Sequence, residues 1–271
     1  MLRASRRRFV LAGLLVLALL LIVTTSGVHR PAKKNPAVIP VPQAVAWWIA
    51  RHEDRVRRAK EGNVDLLFVG DSITQNYEKT GPAPDQVFLP IWEEFFSPHR
   101  PLNLGFAGDQ TQNALWRLQN GEVDGLSPGN IVLLLGTNNT VPNPAVAGPQ
   151  TAEEVSAGLM AVVDELHRRM PMAKILLIEI LPSGVSAQKT AKDTAVNATV
   201  CERYTESGYL RCLDLTSLFV KNGALDTTLF YDPGLNHPGL KAPYPAVHPN
   251  AQGQRMIAEA VSRALFDPRT P

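Results

Sequence analysis

The sequence is poor in the residues that hold metals and cofactors. It has only two cysteines and six histidines, and it contains no HExxH, paired CxxC or EF-hand spacing, so nothing in it supports a metal site. P-loop and GxGxxG signatures are missing, as is the Gly-x-Ser-x-Gly elbow of the α/β-hydrolases, and no cofactor is implied. One-signed charge is scarce as well. The net charge is +2, which gives no basic footprint and argues against a nucleic-acid partner. Internal repeats and a second globular domain are also absent. With 271 residues and 45% hydrophobic content, the chain suffices for one domain with a real core.

Basic residues gather at the amino end. Arg3, Arg6, Arg7 and Arg8 precede Phe9 to Val23, a run with no charged or strongly polar side chain. At about 1.5 Å of rise per residue, a helix from Phe9 to Thr25 nearly matches a bilayer core. Residues 1–25 therefore read as a signal anchor or, if Thr24-Thr25-Ser26 is cut, a signal peptide. The Ser5-Arg6-Arg7-Arg8-Phe9 stretch also fits a twin-arginine pattern, although arginines holding the segment on the cytoplasmic side explain it more simply. No cysteine follows the run, which argues against a lipid anchor. The expected location is extracytoplasmic: membrane-anchored, or periplasmic or secreted after cleavage. Residues 26–43, with Pro31, Pro36, Pro40 and Pro42, read as an extended basic linker, and residues 44–271 as the one globular domain.

Within that domain short apolar runs alternate with helical patterns. Strands are predicted at Asp65–Gly70, Pro101–Gly105, Asn130–Gly136, Lys174–Ile180 and Tyr209–Leu215. Helices are predicted at Ala44–Gly62, Thr111–Asn120, Thr151–Met170, Ala187–Ser207 and Asn250–Leu265. The third and fourth strands are apolar almost throughout, as strands covered on both faces must be. The pattern implies α/β architecture, a parallel sheet of about five strands between helix layers. Cys201 and Cys212 fall on the fourth helix and the following strand. A disulfide and two buried free thiols both stay open. His29, His52, His99 and His167 fall in linker or helix segments and read as surface residues.

Ligands of open parallel sheets bind at the carboxyl ends of the strands. Gly70-Asp71-Ser72 follows the first strand, Gly105-Phe106-Ala107-Gly108-Asp109 the second, and Gly136-Thr137-Asn138-Asn139 the third. Val247-His248-Pro249-Asn250 opens the last helix. Acyl transfer needs a nucleophile, a base and donors for the oxyanion. Ser72 supplies a hydroxyl and His248 an imidazole. Gly108 offers a backbone N–H, and Asn138 a side-chain N–H. Asp71 and Asp109 read as turn and cap residues, Gly105 as a tight-turn glycine, and Trp116 and Arg117 as helix packing.

The segments VGDSITQ, NLGFAGDQTQNALWRL, LLLGTNN and VHPNAQG resemble, in order and spacing, the four blocks of the SGNH/GDSL hydrolases. The likeness runs from about Asp65 to the last helix and is strongest to the branch of the platelet-activating-factor acetylhydrolase catalytic subunit. It implies a flavodoxin-like three-layer α/β/α sandwich and a carboxylic ester hydrolase acting through an acyl-enzyme. By that resemblance Ser72 is the nucleophile and His248 the base, and Ser72 N–H, Gly108 N–H and the Asn138 side chain form the oxyanion hole. The family usually carries an Asp three residues before its catalytic His, where this chain has Pro245. Asp232-Pro233-Gly234-Leu235-Asn236-His237 echoes the block imperfectly. Either His237 is the base, or an insertion separates Asp232 from His248; the second is favoured because the Pro-Asn-Ala-x-Gly turn follows His248 alone. Asp232 is then the third catalytic residue, with a backbone carbonyl in that role as the alternative.

The expected substrate is a small acyl ester, an acetyl or short acyl group on a glycan or lipid. Two alternatives are carried: an acyltransferase passing the acyl group to a sugar hydroxyl, and a degenerate ligand-binding protein of the same fold. The expected partners are that substrate and the membrane, through the amino-terminal segment; a homodimer is left open.

Overall fold

The alternation of apolar runs and helical patterns becomes, in a computed structural model, a five-stranded parallel sheet with helices on both faces. The described residues are 34–141, 150–235 and 244–267. The apolar run 9–25 and His237 lie outside them. Among the described residues no helix is long and apolar enough to cross a membrane.

The strands are β1 (Leu66–Gly70), β2 (Pro101–Gly105), β3 (Asn130–Leu134), β4 (Lys174–Ile178) and β5 (Leu210–Leu213), in the order β2-β1-β3-β4-β5. All four ladders are parallel. The longer helices are α1 (Ala46–Lys60), α4 (Thr111–Gln119), α6 (Ala152–Arg169), α7 (Ala187–Tyr204) and α9 (Ala251–Phe266). Shorter ones are α2 (Ser72–Gln75), α3 (Leu89–Phe95), α5 (Thr137–Thr140) and α8 (Thr216–Phe219).

Strand alternation splits the core into two layers. Leu67, Val69, Ile131 and Leu133 face one side, with α4, α6 and α7 above them; Leu66, Phe68, Val132 and Leu134 face the other, under α3, α8 and α9. Covered on both faces, these strands have no polar side to show, hence their continuous apolar sequence. This is the expected three-layer α/β/α sandwich, in the flavodoxin-like strand order. The sheet changes winding direction between β1 and β3, which leaves a crevice at their carboxyl ends.

Three features depart from the sequence reading. Helix α3 was not expected; Trp92 within it and Phe96 at its end pack at a tilt against Phe68, with centroid distances of 4.9 and 4.7 Å, so aromatic packing carries a segment without clear periodicity. Residues 35–43 are not a free linker but lie against the domain, with Ala37 fully buried. His52 is not a surface residue: it is buried, with Nδ1 2.9 Å from Glu122. Cys201 and Cys212 form a disulfide that ties α7 to β5. The one group of potential metal ligands among the described residues is Glu179 with these two cysteines, whose sulfurs are already bonded to each other.

Candidate active site

Two glycines let the first block sit where it does. A Cβ on Gly70 would lie 2.1 Å from Thr74 Oγ1, and one on Gly105 would lie 2.2 Å from the Gln75 nitrogen. Gly105 thus serves close approach of α2 to the sheet rather than a tight turn. Asp71 caps α2, its Oδ1 accepting from Ile73 N at 3.0 Å. Ser72 therefore opens a helix at the carboxyl edge of β1, where the first amides have no helical acceptor.

The last block arrives by separate fastenings. Asn250 caps α9 through Gly253 N (3.1 Å), and Gly253 is required because a Cβ would meet Leu229 O at 2.6 Å. The buried Gln254 donates to Ile73 O at 3.1 Å, joining α9 to α2. His248 is brought so close that its Nε2 stands 2.8 Å from Ser72 Oγ.

Asp232 completes the line. Its Oδ2 lies 2.5 Å from His248 Nδ1 and accepts His248 N at 3.0 Å, while Oδ1 accepts Val247 N at 3.0 Å. The length of chain between Asp232 and His248 does not disturb this pairing because its stem is closed. Tyr231 N donates to His248 O (3.1 Å), Gly234 N to Tyr244 O (3.1 Å) and Tyr244 N to Leu235 O (2.7 Å). Leu235 and Tyr244 are thus held side by side, so the number of residues between them does not move the carboxylate.

Gly108 sits at φ +78° in the turn before α4, and Asn138 lies in α5 after β3. Asn138 Nδ2 donates to Asp109 O at 2.9 Å, and Gln110 Nε2 returns a bond to Asn138 O at 2.8 Å. Asn139 binds the second block too, its Oδ1 accepting Thr111 N at 3.0 Å. The Ser72 and Gly108 amides have no hydrogen-bond acceptor among the described residues. The structure thus brings together Ser72, His248 and Asp232, and separately fastens Asn138 to the Gly108–Asp109 turn.

Sequence reasoning missed several neighbours. Tyr231 stacks on the His248 imidazole, centroids 5.5 Å apart, and its hydroxyl accepts from Lys79 Nζ (3.0 Å) and Asn76 Nδ2 (3.2 Å). Burial pushes the Tyr231 hydroxyl up to about 12 and pulls the Lys79 ammonium down, the latter opposed by Asp232. Asp71 is wholly buried with Oδ2 unpartnered among the described residues, and burial lifts its carboxyl to about 6.

Asp109 does more than shape its turn. Its Oδ2 accepts Arg117 Nε at 2.8 Å, and Arg117, also wholly buried, continues to Glu122. Burial raises the Asp109 carboxyl to about 6 although Arg117, Trp48 and Gln43 pull it down. Arg117 thus serves a buried ionic chain from β2 to α1, beyond helix packing. Removing one partner of such a chain typically costs about 3–5 kcal/mol, because a charge is left unpaired.

Comparison with known proteins agrees with this geometry. The model of the GDSL-like lipase/acylhydrolase family matches residues 68–256. The human platelet-activating factor acetylhydrolase IB subunit alpha2 is 35% identical over 207 residues, covering 73% of this chain and 82% of that protein. Among solved structures, a GDSL-like lipase from Bacteroides thetaiotaomicron superposes with TM-score 0.59 at 15% identity, covering 80% of this chain and 98% of its own. A catalytic mutant of an acetylxylan esterase from Geobacillus stearothermophilus gives 0.55 at 17% identity, covering 76% and 95%. These two show the shared fold. By the extent of the family match and the identity to its curated relatives, the chain belongs to the GDSL-like lipase/acylhydrolase family and is a carboxylic ester hydrolase.

Proposed function

We propose that the chain hydrolyses small acyl esters through an acyl-enzyme on Ser72. The observation that carries this is the unbroken line Ser72 Oγ, His248 Nε2, His248 Nδ1, Asp232 Oδ2, at 2.8 and 2.5 Å. Ser72 Oγ adds to the ester carbonyl while its proton passes to His248 Nε2. Asp232 holds the ring with Nδ1–H toward itself, so that Nε2 keeps its lone pair for the serine. Negative charge then develops on the carbonyl oxygen, where Ser72 N–H, Gly108 N–H and the second Asn138 Nδ2 proton are the available donors. The ester C–O bond breaks, the alkoxide takes the proton from His248, and water repeats the sequence to release the acid.

An acetyl or short acyl group on a glycan or lipid is the substrate class. The acetylhydrolase name of the relatives at 35% identity supports the acyl size. The degenerate-binding-protein alternative rested on Pro245, where the family carries Asp; Asp232 at the same imidazole removes that support. In steady-state hydrolysis of 4-nitrophenyl acetate, Ser72→Ala and His248→Ala should each lose at least a thousandfold in kcat, and His237→Ala should stay near wild type. Activity retained in His248→Ala and lost in His237→Ala would transfer the base to His237.

We further place the catalytic domain outside the cytoplasm, tethered by residues 1–25 or released if they are cut. The arginine-flanked apolar run supports this, as does the Cys201–Cys212 bridge, since such bonds persist in oxidising compartments. Alkylation in intact cells followed by mass measurement should find the two cysteines joined; two alkylated thiols would argue for a reducing location.

A further inference from the structure

The prolines of residues 35–43 do not free the chain; they lay it as a strap across the loop that carries Gly108. Asn35 Nδ2 donates to Glu154 O at 3.0 Å. Ala37 fills a notch in α6 that exists because Gly158 has no side chain: a Cβ there would meet Ala37 Cβ at 2.8 Å. Thr111 Oγ1 donates to Ala37 O (2.9 Å), Val41 N to Gln112 O (3.2 Å) and Asn113 Nδ2 to Val41 O (2.9 Å).

The strap then reaches the turn itself. Gln43 Nε2 donates to Asp109 Oδ1 at 2.8 Å and to Ala107 O at 3.4 Å, gripping the residues on either side of Gly108. Trp48 Nε1, from the first turn of α1, donates to the same Asp109 Oδ1 at 2.7 Å. The Asp109 carbonyl in turn receives Asn138 Nδ2 at 2.9 Å. A glycine at φ +78° has little of its own to fix the direction of its N–H, so what holds its neighbours decides where that amide points. The family match begins at residue 68, so none of the strap belongs to the matched region.

We propose that Gln43, backed by the strap, is a positioning residue for the ester-hydrolysis reaction: it sets the Gly108–Asp109 turn against Ser72 and, through the Asp109 carbonyl, orients the Asn138 amide. This rests on the reading of Gly108 and Asn138 as oxyanion donors. Both Gln43 side-chain protons are committed to the turn, so it acts through the donors and not on the substrate. Gln43 is only half-buried, so truncating it opens no core cavity.

The test uses the full chain and 4-nitrophenyl acetate. In Gln43→Ala and in the near-isosteric Gln43→Met, which keeps the bulk and removes the donor, kcat should fall about tenfold, with KM and Tm close to wild type. In an Asn138→Ala background, adding Gln43→Ala should cost less than it does in wild type, because the part of its effect that runs through the Asp109 carbonyl to the Asn138 amide is already gone. Unchanged kcat in Gln43→Met, a rise in KM alone, or full multiplicative losses in the double variant would each overturn the proposal. If Ser72→Ala and Asn138→Ala lose activity while both Gln43 variants keep it, the strap idea falls alone. If Ser72→Ala hydrolyses like wild type, the underlying reading falls and takes the proposal with it.

Discussion

Replacing Asp232 by Asn probes the link that the sequence left most open, and the geometry sets its size. The carboxylate accepts three N–H donors: Val247 N and His248 N from the backbone, and His248 Nδ1 from the ring. An amide has one oxygen and one NH2. With the oxygen kept toward His248, the NH2 faces the buried Val247 N–H; turned over, it faces the His248 backbone N–H. Either way one donor opposes another, which costs about 1–3 kcal/mol of stability. The kinetic loss depends on which orientation wins. Kept, the ring retains its tautomer but loses a charge-assisted bond to the imidazolium, a loss of about 1–2 kcal/mol, or roughly tenfold. Turned, the amide forces the ring proton onto Nε2, so the imidazole cannot accept from Ser72, and kcat falls by about 10³–10⁴. Hydrolysis of 4-nitrophenyl acetate and urea unfolding of the same preparation read both quantities. An Asp232→Asn enzyme within threefold of wild type, with undiminished stability, would refute the assignment of Asp232.

Two further outcomes follow from buried groups. Because burial lifts the Asp71 carboxyl from its ordinary 3.8 to about 6, the folded state holds that proton more tightly than the unfolded chain. Its contribution to stability is complete well below pH 3.8 and is lost as pH rises through about 6, so wild type should lose about 2 kcal/mol relative to Asp71→Asn between pH 4 and 7. Urea midpoints that run parallel across that range would contradict this. The Cys201–Cys212 bridge spans 11 residues of sequence, and the entropy of closing such a loop predicts a loss of about 3 kcal/mol when both are changed to Ser. Calorimetry would show it as a fall in Tm, and an unchanged Tm would mean the bridge carries no stability.

Much of the site was legible because its pieces follow strands. The core strands were readable from their apolar composition, and the predicted boundaries match the observed ones to within about two residues. Each block stood where a parallel sheet presents its loops. Asp232 was harder: it lies sixteen residues from His248 instead of three, and only the backbone pairing of Leu235 with Tyr244 shows why the separation is immaterial. The strap was misread for a different reason. Proline reports that a segment is extended and says nothing of whether it is free, and the notch that receives Ala37 is made by Gly158, far along the chain. His52 reads as a surface residue because it falls in a helix segment with no motif around it; its partner Glu122 lies beyond α4, and no local pattern links the two. Tyr231 had no motif to announce it, since ring stacking leaves no fixed spacing.

Ester hydrolysis through an acyl-enzyme requires an activated Ser72 hydroxyl, and that can be measured directly by treating the full chain with a fluorophosphonate and mapping the adduct by peptide mass. A single phosphonyl group on Ser72 is expected in the wild type, with none in Ser72→Ala and much slower addition in His248→Ala. An adduct on another residue, or labelling of Ser72→Ala at the wild-type rate, would contradict it.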